Sequence, residues 1–426
     1  MHDKNTVARR QAYKEYSNDR IPEDVLNSQN VFTPYDLCYD IIRKLESKTD
    51  LIDKDILVFN LEFAEILIHD FGVSPERIAF WTDCDEKRKF AQLMYRGIKH
   101  HRVEFNKESI DIMTKNAKDI EAKDKFDVVI GNPPYQPGAA NQKNRGKTIW
   151  DKFVKLSLEL IKENGHLCFV HPSKWRCPKS DLHNLLFVDN QIKFLSIHGD
   201  TDGKKTFNGA STRYDWYVLE KKRNKDKTNV RFENDDICHI SMSSLPFLPN
   251  FAFSIWGKTI LLSKEYGGIK SIRDQRFNIA AKPNLVSRIK SELHKYPLVK
   301  SVNKNGVDCC WSIEKHPVQN KSKIIFSNAR HVYPIFDNEL YGVCEGAIYI
   351  AIKKEEADIY LNFLKSKLMK VFIQSTKWNN FRTDDRIFEH IPNPVSIGIT
   401  AKDSDKDIYK LFKLTKKEIK YIENLV

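Results

Sequence analysis

Phe126-Asp127-Val128-Val129-Ile130-Gly131-Asn132-Pro133-Pro134-Tyr135-Gln136 sets an apolar run, a glycine and a rigid polar loop end to end. The run from Phe126 to Ile130 has the length and branched side chains of a buried strand, and the glycine and two prolines stop it. A loop hung from the end of a buried strand is where open α/β sheets bind their ligands. The prolines fix their own φ angles and push the residue before each away from helical conformation, which gives the Asn132 side chain and the Pro133 carbonyl one orientation. Both groups accept hydrogen bonds. A planar NH2 offers two donors, so the loop is shaped to take an exocyclic amine, and Tyr135 supplies an aromatic face for the ring that carries it. A plain surface turn is the competing account, but this tetrapeptide would arise by chance in a chain of this length only about one time in a thousand.

Placed after an apolar strand, Asn132-Pro133-Pro134-Tyr135 resembles the catalytic loop of S-adenosylmethionine-dependent N6-adenine methyltransferases. Loops of protein-glutamine and some RNA-base methyltransferases are similar, because an amide or a guanine NH2 poses the same donor problem. Upstream, Asn30-Val31-Phe32-Thr33-Pro34-Tyr35 leads into helical spacing from Asp36 to Leu45. Thr33 as an N-cap with Pro34 at the first helical position accounts for that segment by itself. The segment also resembles the motif ahead of the cofactor loop in gamma-class amino-methyltransferases, where this turn lies against the methionine part of the cofactor. The order here, this segment first and the catalytic loop later with a large region behind, is the gamma order.

Between the two motifs a glycine-rich turn is expected, because close backbone approach to the methionine carboxylate needs residues without Cβ. After Ile56-Leu57-Val58-Phe59 the chain instead reads Asn60-Leu61-Glu62-Phe63-Ala64-Glu65, with no glycine until Gly72. Asn60 and Glu62 are placed to meet the cofactor's amino group by side chain; the alternative is a strand-to-helix turn with Glu65 on a solvated face. A second strand, Arg77 to Trp81, leads through Thr82 into Asp83-Cys84-Asp85-Glu86. An acid there holds ribose hydroxyls, which selects Asp83, while Asp85 and Glu86 suit the start of a helix over Lys87 to Tyr95. Glu104, Glu108 and Asp111 compete for the cofactor's adenine amine, with Asp111 chosen.

Beyond the catalytic loop, the strand ending in Val170-His171-Pro172-Ser173-Lys174-Trp175-Arg176 corresponds to one that lines the base pocket in the resembled family. His171 is read as structural, because amine methylation by a sulfonium does not need a general base. Phe207 is the aromatic expected to close the second face of an extruded base, with Trp216 assigned to the core. Lys377, Trp378, Asn380 and Arg382 interleave cations, an amide and an aromatic, a mixture that contacts phosphates and bases. A buried Trp-Phe hairpin with charged flanks is the alternative.

Length and charge fit this reading. The 426 residues suggest two domains, and 41 % apolar content is enough for sizeable cores. Lys and Arg total 70 against 57 Asp and Glu, which favours a polyanionic partner, with mere solubility as the bland alternative. Eight cysteines lie at 38, 84, 168, 177, 238, 309, 310 and 344 with no Cys-x-x-Cys and no paired His spacing around them, so neither a disulfide framework nor a zinc site is indicated. With no apolar window approaching a membrane span and a charged amino terminus, a reducing, cytoplasmic setting is expected.

Apolar strands alternate with helical patterns up to about residue 225, the strands being Ile56–Phe59, Arg77–Trp81, Phe126–Ile130, His166–His171, Ile192–His198 and Trp216–Glu220, with a helix over Lys152 to Glu163 ending at Gly165. This pattern predicts an α/β fold with a doubly wound, mostly parallel sheet; the resemblance implies that it is Rossmann-like as in methyltransferases and followed by a second α+β DNA-recognition domain. The charged run 221–227 marks the boundary: 1–225 catalytic, 226–400 target-recognition, and 401–426 a basic helical tail. A long helical stretch is expected from Glu355 to Ser375. Taken together, the resemblance implies a site-specific DNA adenine methyltransferase using S-adenosylmethionine, without metal, acting on double-stranded DNA with a restriction endonuclease or second subunit as a candidate partner. The missing glycines leave open a non-catalytic or partner-dependent homologue.

Overall fold

The computed structural model describes residues 33–136, 148–207, 212–223, 225–328, 332–378 and 382–426, together with Ala8 and Gln11. The chain forms two compact units, Met1–Trp175 with Lys179–Leu245, and Arg176–Pro178 with Pro246–Val426.

The first unit is built on a sheet of nine strands: β1 (Ile56–Val58), β2 (Ile78–Thr82), β3 (Lys99–Arg102), β4 (Phe126–Gly131), β5 (Ile161–Pro172), β6 (Gln191–His198), β7 (Tyr214–Glu220), β8 (Thr228–Arg231) and β9 (Ile237–Ile240). Their order is β3-β2-β1-β4-β5-β7-β6-β8-β9. From β3 to β5 every pairing is parallel, and β7 is reversed between β5 and β6. This is the doubly wound order 3-2-1-4-5-6 with one antiparallel strand inserted before the last, so the expected Rossmann-like α/β fold is present. Helices α1 (Tyr35–Glu46), α2 (Leu61–His69), α3 (Asp85–Met94), α4 (Lys107–Ala117), α5 (Trp150–Leu160), α6 (His183–Phe187) and α7 (Asp200–Thr206) connect the strands. All three β1 residues and Val128 to Gly131 of β4 are buried, as central strands covered on both faces must be. Ile41, Ile42 and Leu45 of α1 and Phe63, Ile66 and Leu67 of α2 pack with Val58 and Ile130.

Three expectations shift. The first unit does not end at the charged run 221–227: β8 pairs with β6 in register Phe194↔Asn229, and the unit continues to Leu245. Charge reported solvent exposure there, and nothing more. The helix expected to reach Gly165 stops at Leu160, because Ile161 already pairs with Phe126 in the sheet. Gly165 belongs to β5, where a Cβ would lie 2.9 Å from the carbonyl oxygens of Asp127 and Lys162, so it permits a close backbone crossing instead of capping a helix.

The second unit is α+β. Its helix α8 (Phe253–Tyr266) precedes β10 (Ser271–Ile272), β11 (Val286–Ser287), β12 (Tyr296–Asn303), β13 (Gly306–Ser312), β14 (Ser322–Ser327), β15 (Ile335–Asn338), β16 (Gly342–Val343) and β17 (Ala347–Ala351). These strands form two four-stranded sheets, β10-β17-β14-β15 and β11-β13-β12-β16. The long helix expected from Glu355 divides at Ser366 into α9 (Ala357–Lys365) and α10 (Lys367–Ser375), with the Ser366 hydroxyl capping α10 by accepting from Met369 N–H at 3.2 Å. The tail is likewise two helices, α11 (Asp405–Leu411) and α12 (Lys416–Leu425), opened by capping boxes at Ser404 and Thr415. It is no separate element, since Ile408, Tyr409, Phe412 and Ile422 share a core with Phe363 and Phe372. All eight cysteines are free, and no helix of the described residues is long and apolar enough to cross a membrane.

Candidate functional site

β1 and β4 are parallel neighbours at the point where the strand order reverses, so their carboxyl ends open the crevice in which such sheets bind ligands. Asn60 follows β1, and Asn132 follows β4. The Asn60 side chain spans the gap: its Oδ1 accepts the Asn132 N–H at 2.6 Å and its Nδ2 donates to the Asn132 carbonyl at 3.2 Å. Gly131 makes room for this clasp, because a Cβ there would meet the Phe59 Cβ at 3.0 Å and the Asn60 Oδ1 at 3.2 Å. The Asn132 side chain is fixed too, its Nδ2 donating to the Thr33 hydroxyl at 3.2 Å. With one end of the planar amide engaged there, the acceptor Oδ1 faces elsewhere. Asn132 is 7 % exposed, and Pro133 and Pro134 are buried.

Thr33 therefore does not act as the cap of α1. Pro34 occupies that position without any side-chain cap bond, and the Thr33 hydroxyl is spent on Asn132. Sequence reasoning placed both residues near the cofactor but missed this bond. Its only sequence signal is a buried-looking Thr-Pro pair upstream of an amide loop.

The acids expected to hold a cofactor divide in two. Glu62 lies in the first turn of α2 and is 3 % exposed; burial pushes its pKa up, while Lys87 and, more weakly, nearby backbone N–H groups oppose the shift. Asp83, just past β2, is likewise raised by burial and countered by its own backbone N–H, Lys87 and Arg102. A buried carboxyl whose ionisation is disfavoured gains most from an added cation or donor pair. Glu62 and Asp83 are two such groups, one in the first turn of the helix after β1 and one just past β2. The turn after β1 does not fit the backbone mode, since Phe59, Asn60, Leu61 and Glu62 are all buried side chains. Asp111 is placed differently: it forms an ion pair with Lys152 of α5 at a site where its side chain is 45 % exposed. Glu65, which the alternative account put on a solvated face, is buried and takes the Tyr95 hydroxyl.

On the other side of the loop, Tyr135 is half-buried, and burial raises its hydroxyl pKa, with Tyr214 and Asp215 adding to the effect. Asp215 is wholly buried and accepts from Ser173 Oγ at 3.1 Å and Trp175 Nε1 at 2.7 Å. Neither Tyr214 nor Asp215 was singled out from sequence, although an acid inside the strand Tyr-Asp-Trp-Tyr is a signal of buried pairing. His171 is also wholly buried, stacked on Trp150 at 4.8 Å and 3.2 Å from the Tyr217 hydroxyl. Phe207 differs from the expectation of an open stacking face: it is 7 % exposed, its ring edge-on to Tyr214 at 4.9 Å within the apolar core. Ser196, His198 and Asp202 form a hydrogen-bonded line of the kind used for nucleophilic catalysis. Ser196 is wholly buried, however, and its Oγ receives Arg231 Nε at 2.9 Å, so it has no approach path for an acyl group.

In the second unit, Lys377 and Trp378 are buried at 7 % and 3 % exposure, which corrects their assignment as DNA contacts. The Trp378 indole N–H donates to the Leu248 carbonyl at 2.8 Å, and the Lys377 carbonyl accepts from Asn250 Nδ2 at 3.0 Å. Arg176, wholly buried, donates to the same Leu248 carbonyl at 2.9 Å and to Asn250 Oδ1 at 2.8 Å. Trp378, through its indole N–H, thus shares the Leu248 carbonyl with a buried arginine. Asn380 lies outside the described residues, and Arg382 is exposed. Trp378→Ala is expected to destabilise the unit by ~3–5 kcal/mol in urea unfolding.

Residues 64–203 match the family described as Eco57I restriction-modification methylase. A protein of Mycoplasma pneumoniae described as an uncharacterized adenine-specific methylase is 32 % identical over 101 residues, 22 % of this chain. The chain thus spans about a quarter of the length of the curated relative it matches (24 %). Among solved structures, the type IIL restriction-modification enzyme MmeI in complex with DNA is similar with a TM-score of 0.47 and 10 % identity, over 92 % of this chain and 72 % of that one. A DrdV–DNA complex gives 0.48 and 11 %, over 93 % and 59 %. A modification subunit of a putative type I restriction enzyme from Vibrio vulnificus YJ016 gives 0.38 and 12 %, over 53 % and 51 %.

Proposed function

We propose that this chain is a site-specific DNA methyltransferase that transfers a methyl group from S-adenosylmethionine to the N6 amine of an adenine swung out of the duplex. The observation that carries the reading is the immobilised Asn132, clasped through its backbone by Asn60 and through its amide by Thr33, at the end of the strand where the sheet order reverses. An acceptor so fixed is suited to one planar donor group. Asn132 Oδ1 and the Pro133 carbonyl take the two amine hydrogens, which draws the nitrogen toward tetrahedral geometry and aims its lone pair. Tyr135 holds the ring by stacking. Glu62 and Asp83 would hold the cofactor, which supplies an electrophilic methyl on a sulfonium. The amine's proton leaves to water, and His171, engaged with Tyr217, is not needed to take it.

Incubation with S-adenosylmethionine and adenine-unmethylated plasmid, followed by nucleoside mass spectrometry, is expected to yield N6-methyladenine. RNA and protein acceptors in parallel separate the other amine substrates, and label in protein glutamine or RNA alone overturns the reading. The filled turn after β1 favours a second reading, an enzyme that completes its cofactor site with another subunit. A cofactor titration on the isolated chain distinguishes the two, since absent binding supports partner dependence.

A further inference from the structure

The excess positive charge is not shared evenly. Lys and Arg outnumber Asp and Glu 30 to 19 over residues 246–426 but only 40 to 38 over residues 1–245. Within the second unit, many lysines are neutralised: Lys258 lies 2.6 Å from Glu418, Lys300 2.9 Å from Asp308 and Lys410 2.9 Å from Asp407, and Lys367 is paired with Glu423. Three that are not converge on one groove of about 800 Å³. Lys304 comes from the turn between β12 and β13, Lys365 from the end of α9, and Lys370 from the first turn of α10. All three are exposed, and none makes a side-chain hydrogen bond or ion pair among the described residues. No Asp or Glu side chain lines the groove, which holds three lysines against a single carboxylate, that of Val426.

Helix electrostatics do not account for the arrangement. Lys365 suits a helix C-terminus, but Lys370 sits in a first turn, where a cation is disfavoured by the dipole. Such placement is compensated if an anion is held nearby. Asn303, Gln374 and the exposed Tyr333 (39 %) complete the lining with amides and an aromatic ring over an aliphatic floor.

We infer that this groove, and not the segment around Trp378, is where the second unit grips the phosphate backbone of duplex DNA. The inference rests on the reading of the chain as a DNA enzyme and names the surface that reading lacked. Each lysine is to neutralise about one phosphate, giving contacts that position the duplex without reading sequence.

The test titrates the full chain with a labelled duplex from ~50 to ~200 mM salt. Lys304→Ala, Lys365→Ala and Lys370→Ala together are compared with a charge-matched control, Lys282→Ala, Arg288→Ala and Lys290→Ala, on an exposed loop of the same unit. The slope of log K against log salt is expected to fall by about 2–3 for the groove variant and by well under 1 for the control. An unchanged slope for the groove variant, or equal losses in both, overturns the groove while leaving DNA binding intact. Failure of the unmutated chain to bind duplex overturns the DNA reading itself. A loss seen only with single-stranded RNA assigns the groove to RNA and refutes the proposal.

Discussion

Asn132→Ala is expected to abolish methyl transfer, with turnover falling by at least about 10²–10³-fold, while duplex binding stays within a few-fold. That range is what removal of one preorganised group at a reacting centre costs elsewhere, ~3–4 kcal/mol of transition-state stabilisation. The substitution removes Oδ1, the acceptor held away from Thr33, and leaves the backbone clasp to Asn60 untouched. The fold therefore loses only the Thr33 bond, and the thermal midpoint should move little. Turnover within about tenfold of the unmutated chain, a loss of only ~1.4 kcal/mol, refutes the role assigned to the loop. Asn132→Asp separates acceptor from amide: it keeps an acceptor oxygen but removes the donor to Thr33 and buries a charge, so it should be less stable than the unmutated chain yet retain more turnover than alanine.

The strand and loop at 126–136 were legible because apolar runs, glycine and proline encode backbone shape locally. The central strands of the sheet follow from the same logic. What sequence reasoning missed depends on partners distant along the chain. Thr33 meets Asn132 across 99 residues and Asn60 meets it across 72, and no local pattern reports either contact. The same limit explains the misplacement of Lys377 and Trp378. Alternating cations and aromatics mark a surface only when nothing polar waits inside, and here a buried arginine, with Leu248 and Asn250, does. Charge at 221–227 likewise marked exposure correctly and a boundary wrongly, since two further strands lay beyond it.

Asn60 offers the sharpest discrimination between a cofactor ligand and a positioning residue. Both polar ends of its amide are committed to the Asn132 backbone, so Asn60→Ala leaves a buried N–H and a buried carbonyl without their partners. Each such loss costs ~1–3 kcal/mol, and the first unit should unfold correspondingly earlier in urea. The catalytic consequence is a loop free to drift by fractions of an ångström, for which kcat is expected to fall about 10–100-fold while KM for S-adenosylmethionine and for DNA changes less than about threefold. A cofactor ligand would give the opposite split, with KM for S-adenosylmethionine rising and kcat at saturation largely kept. Asn60→Asp retains the acceptor for the Asn132 N–H, the shorter of the two bonds, and loses only the donor to the carbonyl. It should recover part of kcat relative to alanine, less the penalty of placing a second carboxylate close in sequence to buried Glu62. Partial rescue by aspartate with unchanged KM is a result that a direct contact to the cofactor's amino group cannot produce, because there the added negative charge would tighten binding.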